Sequence, residues 1–546
     1  MAAEAHPTPS AAQVSVIVIG YNDAEHIADA VLSALSQGTA VAQVIAVDDA
    51  STDATAEVLD DLAVRFARLR VVRRTSNSGG CGSPRNDGLR RATAPYVMFL
   101  DSDDVLERGA VDALLTAAVR HGAPVVAGAC TRRELPDGRD VRWQRALFLQ
   151  EAVHDSPAEL PRLVRDTLCV NKLYARSFLA EHGIAFPEGA FRYEDFVFTA
   201  EVLAAAPRIA LIPDTVYIWH VRRSAARPSI SLDRAGADAG NWRSRLEAHR
   251  RAVEVFEEAG QKQLAHATRV KFLDYDLRMY ARELAGRSPG HRAEWWRLTR
   301  EHLAAFDESE LLAARAPARW LARVVSAAES PRDLERLTEL AGRPARLLPP
   351  YARVGGVPVW DTDLPEVVLD RMDSKPLHRL PVSIDAEPYV GAGSRRLLIR
   401  VHELYGRLAA AGPRTVDLEL RHREDGRLGL TRDAVLNPKG SSWTAEILLD
   451  LDALAAARDT GSGSGPDVWD VRVRVRCADG SSLYTGVRAA GPGLRRTAVP
   501  DRHRGVLLVH PYATAGGSLA VRIAPGPRAA AAVVARKLRR LAGRRR

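Results

Sequence analysis

"YVMFLDSDD", residues 96–104, decides how this chain reads. Five apolar residues, 96–100, end abruptly in Asp101, Ser102, Asp103 and Asp104. A short apolar run of that length reads as a buried strand. Three carboxylates at its mouth repel one another and are costly to desolvate. Two explanations are open. A D-x-D pair just past a strand end can present oxygens to one hard divalent cation, Mn²⁺ or Mg²⁺, which favours one or two carboxylates plus a ligand's phosphate oxygens. Alternatively, acids gather in the first turn of a helix, where the macrodipole favours them, a reading that suits Asp104 and Glu107.

Working outward, apolar runs at 14–19, 44–47 and 69–72 read as three further strands. Between them lies a helix over 24–37, with Ile27, Val31 and Leu35 on one face. A second helix, capped by Ser51 or Thr52, turns Val58, Leu59 and Leu62 inward. This alternation predicts a parallel α/β sheet over the first ~230 residues. Ligands of such sheets bind at the carboxyl ends of the strands. That rule collects the unusual polar residues in one place: Tyr21, Asn22 and Asp23; Asp48 and Asp49; Asn77, Arg85 and Asn86; Asp101 and Asp103. The Gly79-Gly80-Cys81-Gly82 loop is not a dinucleotide fingerprint, because it lacks the third glycine and follows the third strand.

The remaining sequence changes character twice. Residues 241–342 are helical in pattern, with Leu246, Val253 and Phe256 on one stripe and Trp295, Trp296, Leu298 and Leu303 on another. Residues 344–358 are rich in Pro and Gly and read as a hinge. Beyond about Asp361 the period becomes two, as at 416–420 and 471–475, with Asp479-Gly480 as a hairpin turn and Gly516-Gly517 between 506–509 and 519–523. The expected organisation is a short N-terminus (1–13), an α/β catalytic domain (14–235), a helical linker (236–345), a β-sandwich-like domain (346–525) and a basic tail (526–546). A length of 546 residues has room for three or four domains.

Charge and cysteines narrow the classes. The net charge is +9, but residues 528–546 hold eight Lys/Arg and no acid, and 9 − 8 leaves about +1 for the rest. A near-neutral body argues against a nucleic-acid binder. Four cysteines without CxxC spacing indicate neither a zinc site nor a disulfide framework. The first residues lack a signal-peptide pattern, and no apolar run approaches the ~18 residues that span a bilayer. A cytoplasmic protein is expected. The tail, with Leu538 and Leu541 among its basic residues, suits the anionic inner face of the cell membrane, each basic residue contributing about 1 kcal/mol. It reads equally as a disordered basic tail or as one that binds a polyanionic acceptor.

Five ordered segments carry a specific resemblance: "VSVIVIGYND" (14–23), "VIAVDDASTD" (44–53), "NSGGCGSPRNDGL" (77–89), "YVMFLDSDD" (96–104) and "RYEDFVF" (192–198). Over about residues 14–232 the chain resembles the family 2 glycosyltransferases of the GT-A fold. It departs at Ile19, where the family usually has Pro, and at Gly20. The resemblance implies that Tyr21 lies against a nucleotide base, that Asp49 binds the base edge, and that Asn77 and Arg85 complete the pocket. Asp101 would sit near the ribose and the metal, Asp103 on the metal, and Asp195 would be the catalytic base beside Glu194. In "VYIWHVRRSAARPSIS" (216–231), Arg222, Arg223, Ser229 and Ser231 would close over the diphosphate. His220 is either a further metal ligand or a structural residue beside Trp219. Glu194 and Asp195 could form a solvated helix face, but Phe191, Phe196 and Phe198 suggest a partly buried setting.

The order of the downstream parts resembles the poly(ribitol-phosphate) wall teichoic acid glycosyltransferases, whose C-terminal parts mediate oligomerisation. The implied activity is inverting, metal-dependent transfer from a UDP-sugar to a cell-envelope polymer, by a protein that forms homo-oligomers. Two readings from other classes stand beside it. One is an inactive catalytic fold that binds polymer through the β domain, against which Asp103 and Asp195 argue. The other is a nucleotidyltransferase, which would need a basic Gly-rich loop where this chain has Tyr21-Asn22-Asp23-Ala24.

Overall fold

The computed structural model describes residues 13–135, 138–222, 239–391, 394–456, 467–501, 505–514 and 516–526. Residues 1–12 of the expected N-terminal tail, Arg223, Ser229, Ser231 and the basic segment 528–546 lie outside them. The chain divides into two compact units, 1–272 with 305–313, and 273–304 with 314–546.

In the first unit the strands are β1 (Val14–Gly20), β2 (Val41–Asp48), β3 (Leu69–Arg73), β4 (Tyr96–Asp101), β5 (Val105–Leu106), β6 (Val125–Leu135), β7 (Arg139–Arg142), β8 (Ala152–His154), β9 (Lys172–Ala175) and β10 (Ile209–Arg222). The helices are α1 (Ile27–Leu35), α2 (Thr55–Arg65), α3 (Gly82–Arg91), α4 (Ala110–His121), α5 (Arg176–Glu181), α6 (Glu194–Ala205), α7 (Gly240–Glu258) and α8 (Lys262–Lys271). The sheet order is β3-β2-β1-β4-β9-β6-β10-β5, with β7 beside β6 and β8 beside β10. β3, β2, β1 and β4 are mutually parallel, whereas β9 is antiparallel to both neighbours. β1 is buried along its whole length, as both faces of a helix-covered parallel sheet must be.

Register aligns the strand ends. Gly20 pairs with Asp48, and Ile19 with Asp101, so the polar residues that follow these strands emerge at one level. β10 departs from regular pairing between Ile212 and Tyr217, where Pro213 cannot donate to the ladder. It still runs on to pair with β5 through Tyr217 and Ile218. That antiparallel contact ties the end of β10 to the loop after β4. An aromatic cluster lies beneath: Phe99 of β4 meets Phe186 edge-on (5.0 Å) and Phe198 of α6 edge-on (5.8 Å). Such pairs add to burial and fix α6 against β4.

Three expectations are corrected here. Neither Ser51 nor Thr52 caps α2: Ser51 Oγ accepts from Asn22 N, Thr52 donates to Asn22 Oδ1, and Asp53 Oδ1 accepts the Thr55 amide instead. Asp104 and Glu107 are not first-turn acids, because α4 begins at Ala110 after Gly109 in the left-handed region. The 344–358 segment is no hinge. It contributes short strands at Ala352–Val354 and Val357–Asp361, and Arg346 is buried against Glu339, Ser518 and the Gly516 and Gly486 carbonyls.

The second unit is helical over much of 278–303 and 316–341 and then β-rich, whereas the helix Glu308–Ala313 belongs to the first unit. One antiparallel sheet is built around Ile384–Gly391, Ser394–His402 and Ser442–Leu448. Another is built around Pro413–His422, Asp467–Cys477, Leu519–Pro525 and Gly505–Ala513. Asp467–Cys477 alternates buried and less buried residues throughout, so the period-two pattern marks one core-facing side. It turns through Gly480, at φ +83°, into Ser482–Gly486.

Candidate functional site

Asp49 follows β2 and is almost fully buried. Burial of a carboxylate requires donors, and four groups supply them. Asn77 Nδ2 (2.9 Å), the Ser78 amide (3.1 Å) and Ser78 Oγ (2.8 Å) donate to Oδ2, and Arg74 Nε lies 2.8 Å from Oδ1. Asp49 and Asn77 therefore meet, as expected from sequence. Tyr21, which follows β1, is 44% exposed.

Arg85 bonds two carboxylates. It is buried on α3, 5.2 Å over the Phe186 ring, with both ends of its guanidinium engaged. Nη2 donates to Asp101 Oδ1 at 2.6 Å, and Nη1 is paired with Glu194 Oε1. The planar fork is used as a two-sided clamp. It joins the end of β4 to the first turn of α6.

The glycine-rich loop makes this approach possible. A Cβ on Gly82 would lie 1.9 Å from the Pro187 carbonyl oxygen, and one on Gly80 2.5 Å from that of Gly189. These glycines let α3 dock on the segment leading into α6. Gly82→Ala should destabilise the first unit by about 1–3 kcal/mol, the usual cost of overpacking. Chemical denaturation measures it, and an unchanged midpoint would show that the docking is dispensable.

Past β4, Ser102 Oγ donates to Asp23 Oδ2 (2.7 Å), and His26 Nδ1 bonds Asp23 Oδ1 (2.6 Å). Asp104 is a strut: its carboxylate accepts from the Tyr217 hydroxyl and the His220 amide, both at 2.7 Å. Burial, then Asp103 and Asp101, push its carboxyl well above the usual range. The strut suspends the end of β10 over Asp103. Arg222 Nη1 and the His220 ring then bond the Asp103 carbonyl, at 2.7 and 3.0 Å.

Burial, and then the charges of Asp101 and Asp23, raise Asp103 to about 6, with Arg222 only partly opposing them. Three carboxylates sharing a site in this way favour a cation. His220 accompanies them. A bond from Nδ1–H to the Asp103 carbonyl selects the tautomer whose Nε2 keeps its lone pair, the usual preparation of a metal-ligating histidine. Among the described residues no group of three or more His, Cys, Asp and Glu could hold a metal ion alone. Asp103 and His220 are the residues here that could hold a cation, if it took its remaining ligands from a phosphate. Asp101, already bonded to Arg85, is less available than expected.

Asp195 lies on the first turn of α6. Burial raises its carboxyl most, Glu194 raises it further, and Arg85, Arg245 and Lys271 pull it back, leaving it at about 7. α7 and α8 supply the last two cations, a contribution the sequence reading missed. Tyr193, in the left-handed region at φ 64°, donates its hydroxyl to Asn241 Oδ1 (2.8 Å). Arg245, one turn along, covers Tyr193 at 4.5 Å and Phe196 at 4.3 Å, and Lys271 Nζ lies 4.1 Å over Phe196. The available signal was a buried asparagine and an arginine at i, i+4 on an amphipathic helix. Tyr217 was likewise missed as a member of the site.

Residues 15–183 match the sequence model of Glycosyl transferase family 2. A poly(ribitol-phosphate) beta-glucosyltransferase of Bacillus spizizenii is 29% identical over 221 residues, covering 40% of this chain and 34% of that protein. The chain thus matches about a third of that relative's length. The crystal structure of S. aureus TarS superposes with a TM-score of 0.52 and 18% identity, covering 94% of this chain and 86% of TarS. A crystal structure of S. aureus TarS 1-349 in complex with UDP-GlcNAc superposes with a TM-score of 0.50 and 22% identity, covering 60% of this chain and 90% of that one. These structures share the fold. The β-sheet unit with its strand-end crevice contains a family 2 glycosyl transferase domain.

Proposed function

We propose that the crevice at the ends of β1, β2 and β4 binds a nucleoside-diphosphate sugar, with UDP as the nucleotide. The chain transfers the sugar with inversion to a hydroxyl of a cell-envelope polymer of the teichoic acid kind. One observation carries the reading: Arg85 clamps Asp101, beside the cation-ready Asp103, to Glu194, the neighbour of Asp195. A donor-binding end and a proton-accepting end are thereby held at fixed separation. The relatives agree in kind, since one acts on poly(ribitol-phosphate) by name and the TarS fragment was solved with UDP-GlcNAc.

Each group then has a task. Tyr21 offers its ring to the base, and Asp49, held by Asn77 and Ser78, offers its edge. Arg222 faces the diphosphate from the end of β10. Asp103 and His220 would hold a divalent cation, Mn²⁺ or Mg²⁺. When bound, that cation neutralises charge on the departing diphosphate. Asp195 takes the acceptor hydroxyl's proton as the oxygen attacks the anomeric carbon. Its raised carboxyl suits a base working near neutral pH.

The test is UDP release from UDP-GlcNAc with poly(ribitol phosphate) and Mn²⁺ present. Asp103→Asn should lower the rate by about 10²-fold or more and flatten its dependence on Mn²⁺, in line with loss of a charge-stabilising group. Equal rates with and without Asp103 would remove the metal from this position. No release from any UDP-sugar would overturn the donor assignment.

A further inference from the structure

The second unit holds a cleft of about 270 Å³ that the transfer reaction does not use. It lies among the start of helix Ala316–Ala327, the segment 375–382 and strand Ser482–Gly486. Pro381, Leu483 and Tyr484 form part of its wall, and Lys375, His378 and Arg379 stand around it. His378 and Arg379 are exposed, and Lys375 is half-buried, its ammonium 5.9 Å from the Trp320 ring.

The charges are unbalanced. The neighbouring acids are already taken: Glu419 accepts from the Tyr484 hydroxyl and from Arg421, Asp373 pairs with Arg353, and Asp370 is held by three groups. It accepts from Arg319 Nε (2.9 Å) and Trp320 Nε1 (3.0 Å), and Arg323 lies 3.7 Å away. Among the described residues, Lys375, His378 and Arg379 make no ion pair. Burial, then the guanidinium groups of Arg319, Arg371 and Arg379, hold the Lys375 ammonium below its ordinary range, with Asp370 opposing them. Like charges gathered at the mouth of a cleft are relieved by a bound anion. An Arg beside a Lys suits a phosphate, the one by its fork and the other as a point charge. The apolar part of the wall suits a carbon skeleton, and the Tyr484 hydroxyl is already donated to Glu419.

We propose that this cleft binds a phosphate ester of a polyol or sugar, with the phosphoryl group at Lys375 and Arg379 and the carbon skeleton against Pro381, Leu483 and Tyr484. The site belongs to the second unit, and its existence does not depend on the nucleotide-sugar reading of the first.

The test is calorimetric titration of the full chain with inorganic phosphate, glycerol 1-phosphate and glycerophosphoglycerol. Both organic esters should bind more tightly than inorganic phosphate. Lys375→Gln combined with Arg379→Gln should weaken ester binding at least tenfold, with the thermal midpoint unchanged. Should the double variant not fold, Arg379→Glu, at an exposed position, should produce the same loss alone. Preference for the monoester identifies a free metabolite, and preference for the diester a polymer segment. Undiminished binding in the folded variants, or no heat with any of the three probes, overturns the proposal. UDP titration of the same variants reads the first unit separately, so failure here and failure there are distinguishable.

Discussion

Asp195→Asn is expected to lower sugar transfer by about 10²–10⁴-fold, the range a positioned general base contributes. Nucleotide binding should stay close to that of the parent, because Asp49, Asn77 and Tyr21 are untouched. The pH dependence has a definite sign. A base must be deprotonated to act, and burial with Glu194 beside it holds Asp195 at about 7. Transfer by the parent protein should therefore rise with pH through about 7 and level off above it. Stability runs the other way. A carboxyl whose folded value lies above its unfolded one, near 3.9, binds its proton more tightly in the folded state. Its contribution is full below about 4 and declines as pH rises to about 7. Asp195→Asn removes that decline, so the variant should gain thermal stability over the parent at pH 8 while losing activity. Retained activity would remove Asp195 as the base. A fall in stability at pH 8 would mean that its charge is structural.

Arg85→Ala carries the second large effect. The guanidinium is buried between two carboxylates, and its removal leaves Glu194 as a buried charge without its partner. Breaking a buried pair on one side costs about 3–5 kcal/mol. Urea unfolding of the first unit should show a loss of that size. Arg85→Lys should recover only part of it, because one ammonium cannot span both Asp101 and Glu194. Nucleotide binding should weaken along with stability, since Asp101 loses the bond that orients it. A loss below about 1 kcal/mol would show that Arg85 does not join the two ends of the site, the level of an exposed surface pair.

What the sequence revealed follows from how local each signal is. Strand positions were legible because short apolar runs end sharply in polar residues, and residues 96–104 did so most clearly. The meeting of Asp49 with Asn77 was also legible, since both follow neighbouring parallel strands. The partners of Arg85 were not, because Glu194 is 109 residues away and any acid could have served. Asp104 looked like a helix-start acid because its real partners, Tyr217 and the His220 amide, arrive from β10. Gly80 and Gly82 read as loop residues, yet what requires them is the backbone at 187–191. The 344–358 segment looked like a hinge from its Pro and Gly content, but composition cannot register that Arg346 is anchored by residues more than a hundred positions later. Asn241 and Arg245 were hidden for the same reason. They reach the Asp195 turn from a helix whose apolar stripe, not its polar residues, gave the pattern.

The central claim is that the strand-end crevice binds UDP together with a divalent cation. Calorimetric titration with UDP, CDP and GDP, first with Mn²⁺ and then with EDTA, tests it most directly. UDP should bind in preference to the others, more weakly when EDTA removes the metal and more weakly again in Asp49→Ala. Equal affinity for the three nucleotides, or no binding in either condition, would contradict it.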